Sequence, residues 1–496
     1  MNPIKPILLI IAIYSSSALA DYKPSTSREM VIETITVNAN GSNTSHYEDL
    51  TRIDTQKGVD NDSQQDISYN NKTETVKILE AYTLQADGRK IKVPKEGIRT
   101  TDDPLSLGAP MFSETKHKIV IFPDVKIGSR LYLKYSSVEH TPRFKGQFHT
   151  ARFFSPHYIL KNYQINLIVS NKLPVQVDTK GMDGGLVKEI NGQKFYHYVF
   201  QHDVAIPPED GQTSIVDYGS YFTASSFKDH LELGRAYQKG VESKTKVTPE
   251  IQALADKLTK GMVDQKSQVD ALYQWVSKNI RYVAVYLGNG GVVPHEAKTI
   301  LSNLYGDCKD HAVILEALLK AKGIESSPAL INLGDAYTLP KLAVMAPQNH
   351  VINYVPSLDI YLDATAQLAP YGTLPMQDMD KPVILTALGR IGHTPKMKAH
   401  DNLIATKIDI IIANDGSMTG TSHSKMTGAV EVEFRGVQVE QADFEDEALA
   451  KYRLSSFGET GLGKITASDP YNLSKPFEES VTFSLDPTSN FPAPAP

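Results

Sequence analysis

The sequence predicts a three-part, multidomain protein: an N-terminal β-sandwich, a central α+β core and a C-terminal, mostly β domain. Three observations carry this. The chain of 496 residues is too long for one small core. Residues 21–75, rich in Asn, Ser, Thr and Asp, show little periodicity, but apolar residues alternate with a period of two over about 76–225 and again after about 385. Between those points the period lengthens to nearly four. The expected domains are therefore 21–240, 241–385 and 386–496. With 41% hydrophobic and 22% charged residues, the composition is that of a globular protein. The formal net charge of −6, without a basic stripe, argues against nucleic acid as a partner.

The first twenty residues stand apart. Lys5 supplies a positive start, "PILLIIAIY" (6–14) is too short to span a bilayer comfortably, and "SSSALA" ends in an A-x-A pattern. They read as a secretory signal peptide cut after Ala20. The expected location is periplasmic or secreted, with no integral membrane span after cleavage.

In the N-terminal domain, "MVIETITVNA" (30–39) alternates as a strand. "KILEAYTLQADGRKIKV" (77–93) gives two strands around the turn pair Asp87-Gly88. "HKIVIFPDVKIGSRLYLKY" (117–135) gives two more, with a turn at Gly128-Ser129, and 163–170 and 193–200 alternate again. Repeated short strands with Gly and Asp turns suggest a sandwich.

In the centre, Thr248 and Pro249 suit the N-cap and first position of a helix. "SQVDALYQWVSKNI" (267–280) places Val269, Leu272, Tyr273, Val276 and Ile280 on one helical stripe. "IRYVAVYLG" (280–288) alternates as a strand that puts Tyr282 and Tyr286 on one face. "CKDHAVILEALLKAKG" (308–323) is a helix closed by Gly323. "NHVINYV" (349–355) and "DIYLDAT" (359–365) are strands. In the last domain, 403–413, 429–436 and 480–487 alternate as strands, with a helix expected near 440–454. The closing "FPAPAP" reads as a linker, so that domain is expected to be incomplete or followed by another segment.

Cys308 is the single cysteine. It can form no disulfide within the chain and no Cys-rich zinc site, which leaves buried filler, an intermolecular bridge or chemistry. At a helix start it meets free N–H groups and partial positive charge, which stabilise a thiolate and can receive an oxyanion. Cys308, Ala312, Leu315 and Leu319 form a stripe that turns the thiol inward. The negative charges of Asp307 and Asp310 oppose the thiolate. His311 is within reach but is expected to turn outward. His350 is the better base. A two-residue loop at 356–357 would set it directly opposite Asp363, whose carboxylate could fix the ring's tautomer. That gives Cys308 as nucleophile, His350 as base and Asp363 as orienter.

The segment 279–324 with its "YGDCKDHA", followed by "NHVINYV" and "YLDAT", resembles the bacterial transglutaminase-like superfamily. "YTLQADGRKIKV" and "FPDVKIGSRLYLKY" resemble the β-sandwich domain of unknown function that often precedes this core in exported bacterial proteins. The resemblance implies a papain-like Cys308–His350–Asp363 triad and acyl transfer through a thioester. Its second oxyanion or substrate-contacting residue would come from Tyr282, Tyr286 or Trp275, the last being also a natural core anchor. His295 is expected only to pack or cap a loop. The expected function is a cysteine acyltransferase or hydrolase acting on an amide or peptide bond of a protein or peptide in the cell envelope. The alternative is an inactive binding or scaffolding protein that keeps the fold. No metal and no cofactor are expected, since no acidic loop has calcium-ligand spacing.

Overall fold

A computed structural model describes residues 22–112, 114–283, 291–456 and 460–487. The expected signal peptide, Tyr286 and the closing Pro-Ala segment lie outside the described residues. The molecule is multidomain, with a strand-rich N-terminal domain, a central α+β core and a mostly β C-terminal region.

The N-terminal domain is built on an eight-stranded sheet. At its centre Thr26–Val37 pairs antiparallel with Asn43–Ile53 and parallel with Ile159–Ser170. Two three-stranded sheets complete the domain. Phe154 and Phe222, from one of them, share a buried cluster with Val31, Ile35, Ile165 and Leu167 of the long sheet. Val120, from the other, packs with Ile53, Ala81, Leu131 and Leu133. Sheet is thus laid on sheet twice, with alternating residues filling the space between. Thr115–Ile121 and Arg130–Glu139, adjacent in sequence, belong to different sheets.

The core is a five-stranded antiparallel sheet ordered Ile360–Leu362, His350–Val355, Ser327–Ile331, Pro382–Leu385 and Arg390–His393. Strand alternation sends Leu330, Val351 and Val355 to one face and Ala329, Ile352 and Tyr354 to the other. The first face is covered by the helices Pro249–Leu258, Gln265–Asn279 and Cys308–Ala321. Thr248 caps its helix through Ile251 N, with Pro249 at the first position. The Cys308–Ala321 helix is buried nearly all round, not along one stripe: Val313, Ile314, Ala317 and Leu318 are as enclosed as Leu315 and Leu319. The helix His230–Val241 straddles the expected boundary at 240, and its Leu233, Tyr237 and Val241 are buried in this same cluster.

At the C-terminal end, 429–436 is not a strand. Ala429–Glu440 is a helix, and the sheet is completed by Ile404–Ile412, Met418–Met426, Phe477–Leu485 and Gly461–Ala467. The reason is Arg435. It is fully buried, pairs with Glu431 one turn earlier and donates to the carbonyls of Pro470 (2.7 Å) and Lys475 (2.7 Å). That anchoring overrides the local alternation. The expected helix near 440–454 runs Asp446–Ser456.

Candidate active site

Cys308 is the first residue of its helix and is fully buried. Asp307 is the N-cap, and with Asp310 it forms a reciprocal capping box: Asp310 N donates to Asp307 Oδ1 (3.2 Å) and Asp307 N to Asp310 Oδ2 (3.3 Å). Gly306 lets the chain approach this turn, because a Cβ there would lie 2.5 Å from that of Asp310. Each carboxylate beside the thiol has a partner: Asp307 the Lys309 ammonium, and Asp310 the His295 ring, which burial pushes down but that bond holds above its ordinary value. Lys309 Nζ bonds Asp307, and His295 gives Asp310 its backbone N–H (2.8 Å) and its ring Nδ1 (2.9 Å). Burial pushes the Asp307 carboxyl up, to about 6, with Lys309 opposing. Burial would also raise Asp310, but the His295 bond and the Lys309 charge outweigh it and hold it below its ordinary value. The negative charges that opposed a thiolate in the sequence are thereby balanced. His295 thus does more than cap a loop. Its Nε2 also meets Met111 O at 3.2 Å, joining this turn to the N-terminal domain.

His311 does not turn outward. It is buried, with Nδ1 2.8 Å from Asp307 O and Nε2 2.9 Å from Ile280 O, so it ties the first helical turn to the end of the Gln265–Asn279 helix. The surrounding loops leave no solvent face at that turn for it to occupy.

His350 opens its strand and is fully buried. The turn after the strand has four residues, 356–359, not two, with Asp359 in the left-handed region at φ 50°. Val355 therefore faces Ile360, and the register carries His350 past Asp363 toward Thr365. The even-numbered turn still keeps His350 and Asp363 on one side, as diagonal neighbours. His350 Nε2 lies 3.1 Å from Asp363 Oδ2. Thr365 donates to Asp363 Oδ1 from its backbone N (2.9 Å) and its hydroxyl (2.7 Å). From the helix above, Tyr273 Oη donates to the carbonyls of Asp363 (3.3 Å) and Ala369 (3.1 Å), which fixes the loop.

Burial penalises the imidazolium, but the Asp363 charge, the Asp363 hydrogen bond and the Cys308 side chain outweigh it and hold His350 well above its ordinary value. Burial would raise Asp363, yet His350 and Thr365 bring it down to about 2. With Nε2 turned to Asp363, Nδ1 is the nitrogen left for a second partner; it is buried without one of good hydrogen-bond geometry. The Cys308 side chain, by hydrogen bond and charge, also acts on the ring.

Of the other candidates, Tyr282 pairs through its backbone with Gly306, two residues before Cys308, and its ring meets His311 edge-on at 5.6 Å. Trp275 is half-buried against the core cluster. Two residues had no sequence signal. Tyr237, buried on the His230–Val241 helix, is close enough that burial and then Cys308 raise its hydroxyl well above the ordinary value. Asp378, in a short turn at Met376–Asp378, is fully buried beside Asp363. His350, Asp363 and Asp378 offer donor atoms all within 4.8 Å of one another, and they are the set among the described residues that could hold a cation.

A cleft of about 620 Å³ opens between the N-terminal sheet and the loops that precede His295 and His350. Glu74, Glu139 and Arg152 line one wall, and Val293, Met345 and Ala346 the other.

Residues 252–357 match the transglutaminase-like superfamily. Residues 39–205 match DUF3857, a domain of unknown function with a solved structure. No curated protein matches the chain. Among solved structures, a candidate protease from Parabacteroides distasonis is similar over 93% of each chain, with a TM-score of 0.65 and 17% identity. That likeness is one of fold. A candidate cysteine protease from Cytophaga hutchinsonii has a TM-score of 0.21 and 14% identity, over 42% of this chain and 66% of that one. An M1 zinc metallopeptidase from Deinococcus radiodurans has a TM-score of 0.21 and 9% identity, over 41% and 42%.

Proposed function

Because residues 252–357 belong to the transglutaminase-like superfamily and residues 39–205 are a DUF3857 domain, we propose that the protein is an exported cysteine acyltransferase or hydrolase. It acts on an amide or peptide bond in the cell envelope. Cys308, its proton held on His350 Nδ1, attacks the carbonyl carbon as a thiolate. The tetrahedral oxyanion is received by N–H groups at the helix start. The imidazolium then gives its proton to the leaving amine and a thioester remains. Water or an amine attacks that thioester, loses its proton to His350, and restores the thiol. Asp363 orients the ring and supports its charge. The substrate approaches along the interdomain cleft, and Tyr282, paired through its backbone with Gly306, stands beside the turn that carries Cys308.

One observation supports this reading above the others: a buried imidazole, hydrogen-bonded to a carboxylate at 3.1 Å, is influenced by the cysteine at a helix start. The test is capture of an acyl-enzyme from a cell-envelope extract, with Cys308→Ala as control. A covalent adduct on the unaltered chain alone supports catalysis. The alternative, a retired enzyme used for binding, predicts no adduct and alkylation of Cys308 like that of a model thiol.

A further inference from the structure

Asp378 raises a chemical question. Its side chain is fully buried, and neither carboxyl oxygen accepts a hydrogen bond from any donor among the described residues. A buried carboxylate without donors is costly. Next to it stands a second buried carboxyl group, Asp363, which receives bonds from His350 and twice from Thr365. Two carboxylates this close in an apolar site do not both ionise. The donors decide which one keeps the charge: Asp363 has three and Asp378 has none.

We infer that Asp378 holds a proton at neutral pH and donates it as a hydrogen bond to the Asp363 carboxylate, making it a positioning residue for the His350–Asp363 pair. The inference rests on the roles proposed above for Cys308, His350 and Asp363. The groups that face Asp378 agree with it. Burial, and then the Asp363 carboxylate, disfavour its ionised form, while His350 and Lys381 oppose more weakly. Tyr273, which packs on the pair from the helix above, is itself raised by burial and brings no positive charge. Lys381 gives its ammonium group to the carbonyls of Asn332 (2.8 Å) and Gly334, not to Asp378. A divalent cation among the three donors would have to displace the His350–Asp363 hydrogen bond. A proton satisfies both carboxyl groups and leaves that bond intact. The result is a relay: the Asp378 hydroxyl steadies one carboxylate, and that carboxylate fixes the ring's tautomer.

The test uses the full chain and two readouts. In infrared spectra at pH 7, the unaltered protein should show the carbonyl stretch of a protonated carboxylic acid, and Asp378→Asn should lose it. Spectra of the two that do not differ in that band would mean Asp378 is ionised or metal-bound, and would overturn the inference. The second readout is the rate of Cys308 alkylation by iodoacetamide. Asp378→Ala should slow it at least tenfold, and Asp378→Asn, which keeps a neutral donor, should restore most of the loss. Equal rates for the Ala variant and the unaltered chain would also overturn it. If Asp378→Ala does not fold, the infrared comparison still decides. His350→Ala separates the two readings: alkylation that ignores this change sinks the catalytic roles but leaves the acid band to be judged by itself.

Discussion

At the scale of single residues, the His350–Asp363 pair joins stability to protonation. Removing the Asp363 carboxylate strands a buried imidazolium, so Asp363→Ala should destabilise by about 3–5 kcal/mol. Its folded pKa, about 2, lies below the unfolded value, so its contribution is present above roughly pH 4 and fades as pH falls toward 2. The folded pKa of His350 is raised, so its contribution is complete below roughly pH 6.5 and is lost as pH rises through the folded value. A double-mutant cycle on the two residues, followed by urea unfolding, should therefore show its largest coupling between about pH 4 and 6.5. A coupling that does not fall as pH drops toward 2 or rises through the folded value of His350 would mean the pair is not ionised. The residue types were legible because a lone cysteine at a helix start directs the search for a base, and the strands after it supply one. Asp378 was not legible. It reaches Asp363 from a short turn fifteen residues on, and no periodicity links them. His311 was misread because a charged-looking first turn gives no sign that the end of the preceding helix and Tyr282 will enclose it.

At the scale of elements, the helix start depends on how closely Gly306 approaches Asp310. Gly306→Ala must push the turn away, breaking the capping box that sets the thiol. Loss of a cap costs about 1 kcal/mol, but the displacement should also slow alkylation of Cys308 at neutral pH. Alkylation at the unaltered rate would show that the turn absorbs the methyl group. Arg435 governs the Ala429–Glu440 helix in the same way. Arg435→Leu leaves Glu431 buried without its partner and should cost about 3–5 kcal/mol, and Arg435→Lys should not recover it, because one ammonium group cannot serve several divergent acceptors. Denaturant unfolding checks both. The helix over 429–440 shows where reading by period fails: alternating Val and Glu fit a strand, and only the distant loop carbonyls that Arg435 binds decide otherwise. The turn at 356–359 shows a subtler failure. Its parity was readable, but its length was set by Asp359 in a left-handed conformation that no pattern announces.

At the scale of the whole molecule, the two domains meet next to the chemistry. Met111 N donates to Tyr305 Oη (3.2 Å), Arg281 donates to Gly108 O (2.7 Å), and Phe112 meets the His295 ring edge-on at 5.4 Å. Phe112→Ala should remove about 3–5 kcal/mol from this contact and split one calorimetric unfolding transition into two. A single transition at the original temperature would show that the domains couple elsewhere. The interdomain cleft gives a separate expectation. Ala346→Trp narrows it on an exposed residue four positions before His350. Acyl-enzyme capture from envelope extract should fall, while iodoacetamide, a small reagent, should react as before. Equal losses of both would mean the substituted loop disturbs His350 itself. The domain order was readable from changes in period, whereas the cleft arises from surfaces far apart in sequence.

The parallel pairing of Thr26–Val37 with Ile159–Ser170 bears on how the chain is made. Thr26–Val37 can form a hairpin with Asn43–Ile53 as soon as both have been synthesised. Its other edge stays unsatisfied until more than a hundred further residues have been synthesised, and that exposed edge can recruit other chains in the meantime. A chaperone that covers this edge would matter most during that interval.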